Sequence, residues 1–441
     1  MSKKSHKKKT LLPKLRFPEF KGDGEWSCLN GKSLFAQISD KNHNGDLPVL
    51  AITQEHGAIP RELIDYNVSV TQSSINSYKI VRVGDFIISL RSFQGGIEYS
   101  NYEGICSPAY VILREKRGTV AAFFKYLFKS KAFIRELTKN LEGLRDGKMI
   151  SYKQFSEVLI HLPSKPEQQK IADCLSSLDD LLAAHSAKLN ALQDHKKGLL
   201  QQLFPGTPTS SSAIKKNAGE DAGAPSQTTP ALRFPEFENE GEWVLSKLGP
   251  MATKVGSGIT PRGGASNYRE SGRPFIRSQN VSWGSLLLDD VVYIDEKMHQ
   301  SFAGTEIKIT DVFLNITGAS IGRCTVANSE IKGGNVNQHV CLIRTKAKKL
   351  VPLFLSQFII SQFGQSQIDS FQAGGNRQGL NFEQVRSFFI PIPPNRAEQQ
   401  KIADCLSALA DVIAAQTKQI AALKEHKKGL MQQLFSTGDS V

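Results

Sequence analysis

The sequence has no long apolar run. No stretch of 18 consecutive apolar residues occurs, so no segment reads as a membrane span. Its N-terminus is basic, but no apolar segment follows, so it does not read as a secretory signal. Cysteine is scarce: six in 441 residues, at positions 28, 106, 174, 324, 341 and 405, with no C-x-x-C spacing. They are expected to be small core residues of a cytosolic protein, not disulfides or metal ligands. The nine histidines do not cluster at metal-ligand spacing. There is no G-x-x-x-x-G-K-[ST] phosphate loop and no strand–G-x-G-x-x-G–helix unit. The Asn/Asp-Pro-Pro-aromatic tetrad of amino-methyltransferases is absent as well; Pro391-Ile392-Pro393-Pro394 reads as a turn before a helix. No Ser-His-Asp or Cys-His set stands out. The sum argues for binding over catalysis, with no catalytic residue, metal or cofactor expected in this chain.

What the chain does have is itself, twice. Leu15-Arg16-Phe17-Pro18-Glu19-Phe20 returns as Leu232-Arg233-Phe234-Pro235-Glu236-Phe237. Glu167-Gln168-Gln169-Lys170-Ile171-Ala172-Asp173-Cys174-Leu175-Ser176 returns as Glu398-Gln399-Gln400-Lys401-Ile402-Ala403-Asp404-Cys405-Leu406-Ser407. Between these ends the two halves differ strongly. The offset between copies still rises in steps: 217 at Trp26/Trp243, 226 at Asp85/Asp311 and Gly96/Gly322, 230 at Gly104/Gly334 and Arg114/Arg344, 231 at the Glu-Gln-Gln block. Rising offsets mean small loop insertions in one shared fold. Long-period duplication of this kind points to paired domains, not to a solenoid of short repeats.

Within each body the apolar runs are short and β-branched or aromatic: Phe86–Ile88, Ala109–Leu113, Val312–Leu314 and Val340–Ile343. They read as strands. Helical periodicity appears at 120–139 and 350–369. Each body is therefore expected to be an α+β domain. The net charge of +13 lies mostly on the bodies and the N-terminal arm: +5 over residues 1–26, +4 over 27–160 and +6 over 244–392. The long helical segments are nearly neutral. Such a distribution suits a polyanion touched by the bodies.

Each body leads into a long helix. Ser164-x-x-Glu167 and Asn395-x-x-Glu398 are matching N-cap pairs that can close capping boxes. Apolar residues then follow a 4-3 spacing: Ile171, Leu175, Leu178, Leu182, Leu189 and Leu192 in one helix, Ile402, Leu406, Leu409, Ile413, Ile420 and Leu423 in the other. His185/Gln416 and Lys196/Lys427 interrupt both seams at equivalent places, followed by Leu199, Leu203 and Leu430, Leu434. That spacing is the signature of a coiled coil, and polar seam residues commonly fix register. Gly198 and Gly429 inside the pattern allow a kink or a close approach. Residues 205–231, rich in Pro, Ser, Thr, Gly and Ala, read as a flexible linker. A returning chain would pair the helices antiparallel, in a pseudo-two-fold arrangement. The expected division is 1–26, a basic arm and the start of the repeat; 27–160, the first body; 161–204, the first helix; 205–231, the linker; 232–392, the second body; and 393–441, the second helix.

Gly-rich polar clusters follow the strands. Arg91-Ser92-Phe93-Gln94-Gly95-Gly96 corresponds to Thr317-Gly318-Ala319-Ser320-Ile321-Gly322. Thr260–Gly264, Arg277–Asn280 and Asn335–His339 are similar runs in the second body. Arg, Asn and Gln make bidentate bonds to guanine and adenine edges, and glycine lets backbone approach a phosphate closely. The candidates for DNA contact are Arg91, Ser92, Gln94, Arg145, Lys148, Arg262, Arg277, Asn280, Thr317, Asn337 and Arg377.

The doubled order of these motifs resembles the specificity subunits of Type I restriction-modification systems. The resemblance covers essentially the whole chain. It rests on the L-R-F-P-E-F…G-E-W starts, Gly84-Asp85 and Thr310-Asp311, and the paired body ends. Those ends run Arg145-x-Gly147…Leu162-Pro163…Glu167-Gln168-Gln169-x-Ile171 and Arg377-x-Gly379…Ile392-Pro393…Glu398-Gln399-Gln400-x-Ile402. It implies two target-recognition domains, each reading half of a split DNA sequence, on an antiparallel coiled coil. It also implies partners: double-stranded DNA, two methyltransferase subunits that use S-adenosylmethionine, and restriction subunits driven by ATP and Mg. A fused methyltransferase or nuclease, or a coiled-coil scaffold that binds proteins, are the other readings of the residues.

Overall fold

A computed structural model describes residues 12–64, 72–116, 119–139, 150–205, 227–260, 263–372 and 379–435. The chain forms two compact units, residues 1–186 with 418–441 and residues 187–417. Each unit holds one body, the first part of the long helix that follows it, and the last part of the other long helix.

In the first unit a four-stranded antiparallel sheet carries the body. Its strands are β1 (Phe35–Ile38), β4 (Phe86–Ile88), β5 (Glu98–Tyr99) and β6 (Val111–Glu115), in the order β1-β6-β4-β5. A hairpin of β2 (Leu50–Thr53) and β3 (Gly57–Pro60) stands beside it. The core is aromatic: Phe35, Phe86, Phe124, Phe128 and Phe155 are all fully buried, with rings meeting mostly edge to face at 4.9–5.9 Å. The second body repeats the sheet with β7 (Ala252–Ser257), β9 (Val312–Asn315), β10 (Cys324–Val326) and β12 (Val340–Thr345), in the order β7-β12-β9-β10. A second, three-stranded sheet contains β8 (Arg273–Ile276), paired in parallel with β11 (Asn335–Val336). The strands Val312–Leu314 and Val340–Ile343 expected from sequence lie within β9 and β12, and the run at 109–113 becomes strand only from Val111. The helical patterns at 120–139 and 350–369 each split in two, Ala121–Leu127 with Lys131–Thr138 and Pro352–Ile360 with Gln362–Gln372. A serine sits at each break. Ser130 accepts from the Phe133 N–H and Ser361 from the Gly364 N–H, starting a new helix.

Corresponding ion pairs close the two sheets. Arg114 donates two bonds of 2.7 Å to Asp85, and Arg344 donates two of 2.7 Å to Asp311. Both aspartates are 1% exposed and also accept a backbone N–H from three residues earlier. The turn that makes this possible needs positive φ. The first body supplies Gly84 at φ 93°, but the second places Thr310 there at φ 72°, the one non-glycine residue with positive φ among those described. A β-branched residue in that region is strained by roughly 1–2 kcal/mol. Thr310→Gly is therefore expected to raise stability by about 1 kcal/mol, read as a higher urea midpoint; no change or a loss would show that the turn holds threonine without strain.

The long helices run Lys165–Leu203 and Arg396–Leu434. None of the seam positions named above is exposed in either helix, while most intervening residues are. In the first unit Lys427 ion-pairs with Asp179, and Leu434 shares a core with Ile171 and Leu175. In the second unit Lys196 lies in the field of Asp411, and Leu203 shares a core with Ile402 and Leu406. Within each unit the two helix segments thus run antiparallel. Burial pushes the Lys196 ammonium below its usual range, with Asp411 opposing. Lys427 and Lys196 sit at equivalent points of the two seams, each close to an aspartate of the other helix. Gly198 and Gly429 have nothing within 4 Å of where a Cβ would stand, so no close approach inside the chain requires them.

The repeated Glu-Gln-Gln block turns out to be the joint between frame and body. Arg16 donates to both Glu167 oxygens at 2.8 and 2.7 Å, and Trp26 Nε1 donates to the same carboxylate at 3.3 Å. Arg233, Trp243 and Glu398 repeat this at 2.7, 2.8 and 3.2 Å. Gln168 accepts the Val120 N–H and donates to the Pro163 carbonyl; Gln399 accepts the Val351 N–H and donates to the Lys349 carbonyl. The capping-box expectation for Glu167 and Glu398 is corrected accordingly. Both carboxylate oxygens are taken up by an arginine and a tryptophan more than 140 residues away in sequence. Most of the expected linker, residues 206–226, lies outside the described residues; Gln227–Thr228 pair with Val244 and Trp243 as a short strand.

Candidate nucleic-acid interface

The frame contacts are nearly identical in the two halves, and the chemistry diverges at the strand-end loops. In the first body β4 ends in a loop fixed by its own serines. Ser92 Oγ accepts the Ser89 N–H at 2.9 Å, and Ser89 Oγ accepts the Arg91 N–H at 3.3 Å. The Arg91 carbonyl accepts from Gln94 N, Gly95 N and, at 3.3 Å, the Gln54 side chain of the β2–β3 turn. The backbone of Arg91 is thereby held while its side chain stays exposed. Gln94 is exposed beside it. Ser92 is 1% exposed and builds the turn. It is corrected from a contact candidate to a residue that shapes the loop.

Between the hairpin and this loop lies a cleft of about 630 Å³, lined by Gln54, His56, Arg61, Leu90, Arg91 and Tyr110 among others. Of these, only Arg91 stood among the sequence candidates. The signal for the rest was Gln54-Glu55-His56-Gly57, a polar turn ending in glycine between two apolar strands. Gly57 has φ 72°, and a Cβ there would meet the Tyr99 carbonyl at 2.6 Å.

In the second body, Thr317 stands where Arg91 stands in the first, five residues after Val312 as Arg91 is five after Phe86. Its hydroxyl meets His339 Nδ1 at 2.6 Å; His339 Nε2 meets Gln338 Nε2 at 3.2 Å; Gln338 Oε1 accepts the Thr260 N–H at 3.1 Å. An amide nitrogen can only donate, so His339 accepts at Nε2 and donates from Nδ1 to Thr317. Asn337 is 8% exposed and accepts the His339 N–H, positioning that histidine.

Arg277 and Asn280 are placed otherwise than the sequence suggested. Asn280 is 0% exposed, with its amide bonded to the Leu287 carbonyl and Asp290 and its oxygen accepting the Arg277 N–H. Arg277 lies over the Tyr268 ring and donates to the Asp290 carbonyl at 2.6 Å. Both hold a loop together: Asn280 has no free edge to offer a base, and Arg277 is tied through Nη2 to Asp290. Arg145, Lys148, Arg262 and Arg377 lie outside the described residues.

Burial pushes the thiols of Cys106, Cys324 and Cys341 up to about 12, which makes them poor nucleophiles. Cys174 and Cys405 are half-buried and Cys28 is exposed, so the expectation of buried core positions holds for Cys106, Cys324 and Cys341 and is corrected for the other three. Among the described residues, no group of three or more His, Cys, Asp or Glu side chains could hold a metal ion. None of the described helices is long and apolar enough to cross a membrane.

The family model for the Type I restriction modification DNA specificity domain matches the chain twice, at residues 27–194 and 240–425. The chain belongs to this family. Each match spans one body and most of the helix that follows it. The Type I restriction enzyme MjaVIII specificity subunit of Methanocaldococcus jannaschii is 23% identical over 377 residues, covering 84% of this chain and 81% of its own. The EcoBI specificity subunit of Escherichia coli is 23% identical over 280 residues, covering 62% and 57%. The solved S subunit of a Type-I restriction-modification system from M. genitalium covers 98% of this chain and 100% of its own, with a TM-score of 0.57 at 14% identity. A chain from a study of complex assembly and conformational transition in the type I system covers 94% and 98%, with a TM-score of 0.53 at 17% identity. The paired α+β bodies and long helices are the fold of these specificity subunits.

Proposed function

We propose that this chain is the sequence-reading, non-catalytic subunit of a cytoplasmic Type I restriction-modification complex. Each body reads one half of a bipartite double-stranded DNA target. The helices set the spacing and carry two methyltransferase subunits; restriction subunits complete the assembly. S-adenosylmethionine, ATP and Mg belong to those partners in this reading. The observation that carries it is an Arg–Glu–Trp joint repeated in both halves around loops that differ. Arg16–Glu167–Trp26 equals Arg233–Glu398–Trp243, while Arg91 faces one strand end and a Thr317–His339–Gln338 chain the other. Phosphate contact by a basic surface is sequence-blind, so such differences at the loops are where two half-sites would be told apart.

The test is to express the chain with its methyltransferase partner and map the methylated bases genome-wide. An asymmetric bipartite site is expected. Replacing residues 27–160 by another family member's body should change one half of that site and leave the other intact. Methylation of DNA by the purified chain alone, or binding that ignores sequence, would overturn the reading.

A further inference from the structure

The cleft beside Arg91 carries a sharper statement, one that rests on the DNA-reading function above. We propose that the first body reads a guanine with Arg91 inside this cleft, and that the second body, with threonine at the equivalent position, uses neutral polar contacts there.

Three observations converge on Arg91. Its backbone is fixed from both sides, by Ser89 Oγ on its N–H and by Gln54 Nε2 on its carbonyl. Its guanidinium has no hydrogen-bond or ion-pair partner among the described residues. Two other arginines are committed, Arg114 to Asp85 and Arg16, leading into the body, to Glu167, and the exposed Arg82 and Arg135 do not line this cleft. A fork of donors on a fixed base, left unpaired, is the arrangement that meets O6 and N7 of guanine together. Third, the surrounding wall supplies what a base pair in a groove asks for. Gln54 and His56 are polar and exposed on the hairpin turn, and Leu90 is 54% exposed and apolar next to Arg91. The one carboxylate on the lining, Glu55, is 83% exposed on its side chain and can accept from a cytosine amino group across the same pair.

The second body cannot do the same chemistry there. Thr317 offers one hydroxyl, already engaged by His339 at 2.6 Å. Its exposed neighbour Gln338 has one amide oxygen on the Thr260 N–H and its amide nitrogen on His339. The two half-sites should therefore differ in what this position demands, with guanine required only in the first.

The test uses the full chain with its methyltransferase subunits. Arg91→Ala and Arg91→Lys complexes are compared with the original by genome-wide methylation mapping and by binding to oligonucleotides varied one base at a time. The expected result is that one guanine of the first half-site becomes degenerate, with discrimination there falling on the order of ten- to a hundred-fold. The second half-site stays unchanged. Lysine is not expected to rescue, because it lacks the fork. Uniform weakening across all sequences, with a shallower salt dependence, would make Arg91 a phosphate contact and overturn the proposal while leaving the DNA-reading function standing. Unaltered specificity would overturn it too. A wild-type complex that binds without sequence preference would sink the function itself.

Discussion

Arg233→Ala is expected to destabilise the second unit by about 3–5 kcal/mol, because it strands a buried carboxylate. Glu398 is 0% exposed, and its oxygens are met by Arg233 at 2.7 and 2.8 Å and by Trp243 at 3.2 Å. Without arginine, one indole N–H remains against a full negative charge that has no water. The pair as a whole contributes far less than this number, since bringing both charges out of water costs nearly what their attraction returns. Replacing both, as Arg233→Met with Glu398→Leu, should therefore recover much of the loss, short of the Trp243 donor left alone. Urea unfolding followed by tryptophan fluorescence reads both variants. A single-variant loss under about 1 kcal/mol, the range of an exposed pair, would show the joint to be solvent-accessible. The same substitution at Arg16 should act on the first unit, because Arg16 and Glu167 are 8% and 1% exposed.

This joint was the least legible part of a sequence that was otherwise easy to read. Duplication, strands and seam are local or periodic patterns, and they appeared where the spacing put them. Glu167 and Glu398 stood in a capping-box spacing, and a local rule fitted them well. The partners that claim those carboxylates lie 151 and 165 residues away, and no local pattern reports them. The strand-end loops failed for a related reason. Arg277, Asn280 and Ser92 have the residue types that read bases, but loops also fold on themselves with those same groups. Asn280 satisfies three neighbours and Ser92 one turn. Arg91 differs from them only in having its side chain left over, which is a fact of tertiary structure. Likewise the periodicity at 120–139 could not reveal that Ser130 would end one helix and cap the next.

The last residues of each long helix should matter as much as the joint. Phe204 is 1% exposed, with ring centroids 5.2 and 5.5 Å from Phe354 and Phe358; Phe435 is 4% exposed and 5.6 Å from Phe123. They are the same position of the repeat, 231 residues apart, and each plugs the core of the unit where its helix ends. Phe204→Ala and Phe435→Ala are each expected to cost about 3–5 kcal/mol, the range for opening an aromatic-sized cavity in a packed core. Urea titration of each variant reads this, with Phe204 acting on the second unit and Phe435 on the first. A cost near 1 kcal/mol in either would mean the core closes without its plug. The consequence reaches beyond the single ring. Leu434 and Phe435 complete a core whose other members, Phe123, Ile171 and Leu175, come from the first half of the chain. A fragment ending at residue 204 would leave that apolar face bare, and should associate or unfold at concentrations where the full chain stays monodisperse. The body that reads the first half-site is therefore completed by the last helix of the chain, so loss of residues 418–441 should abolish recognition by a body they do not encode.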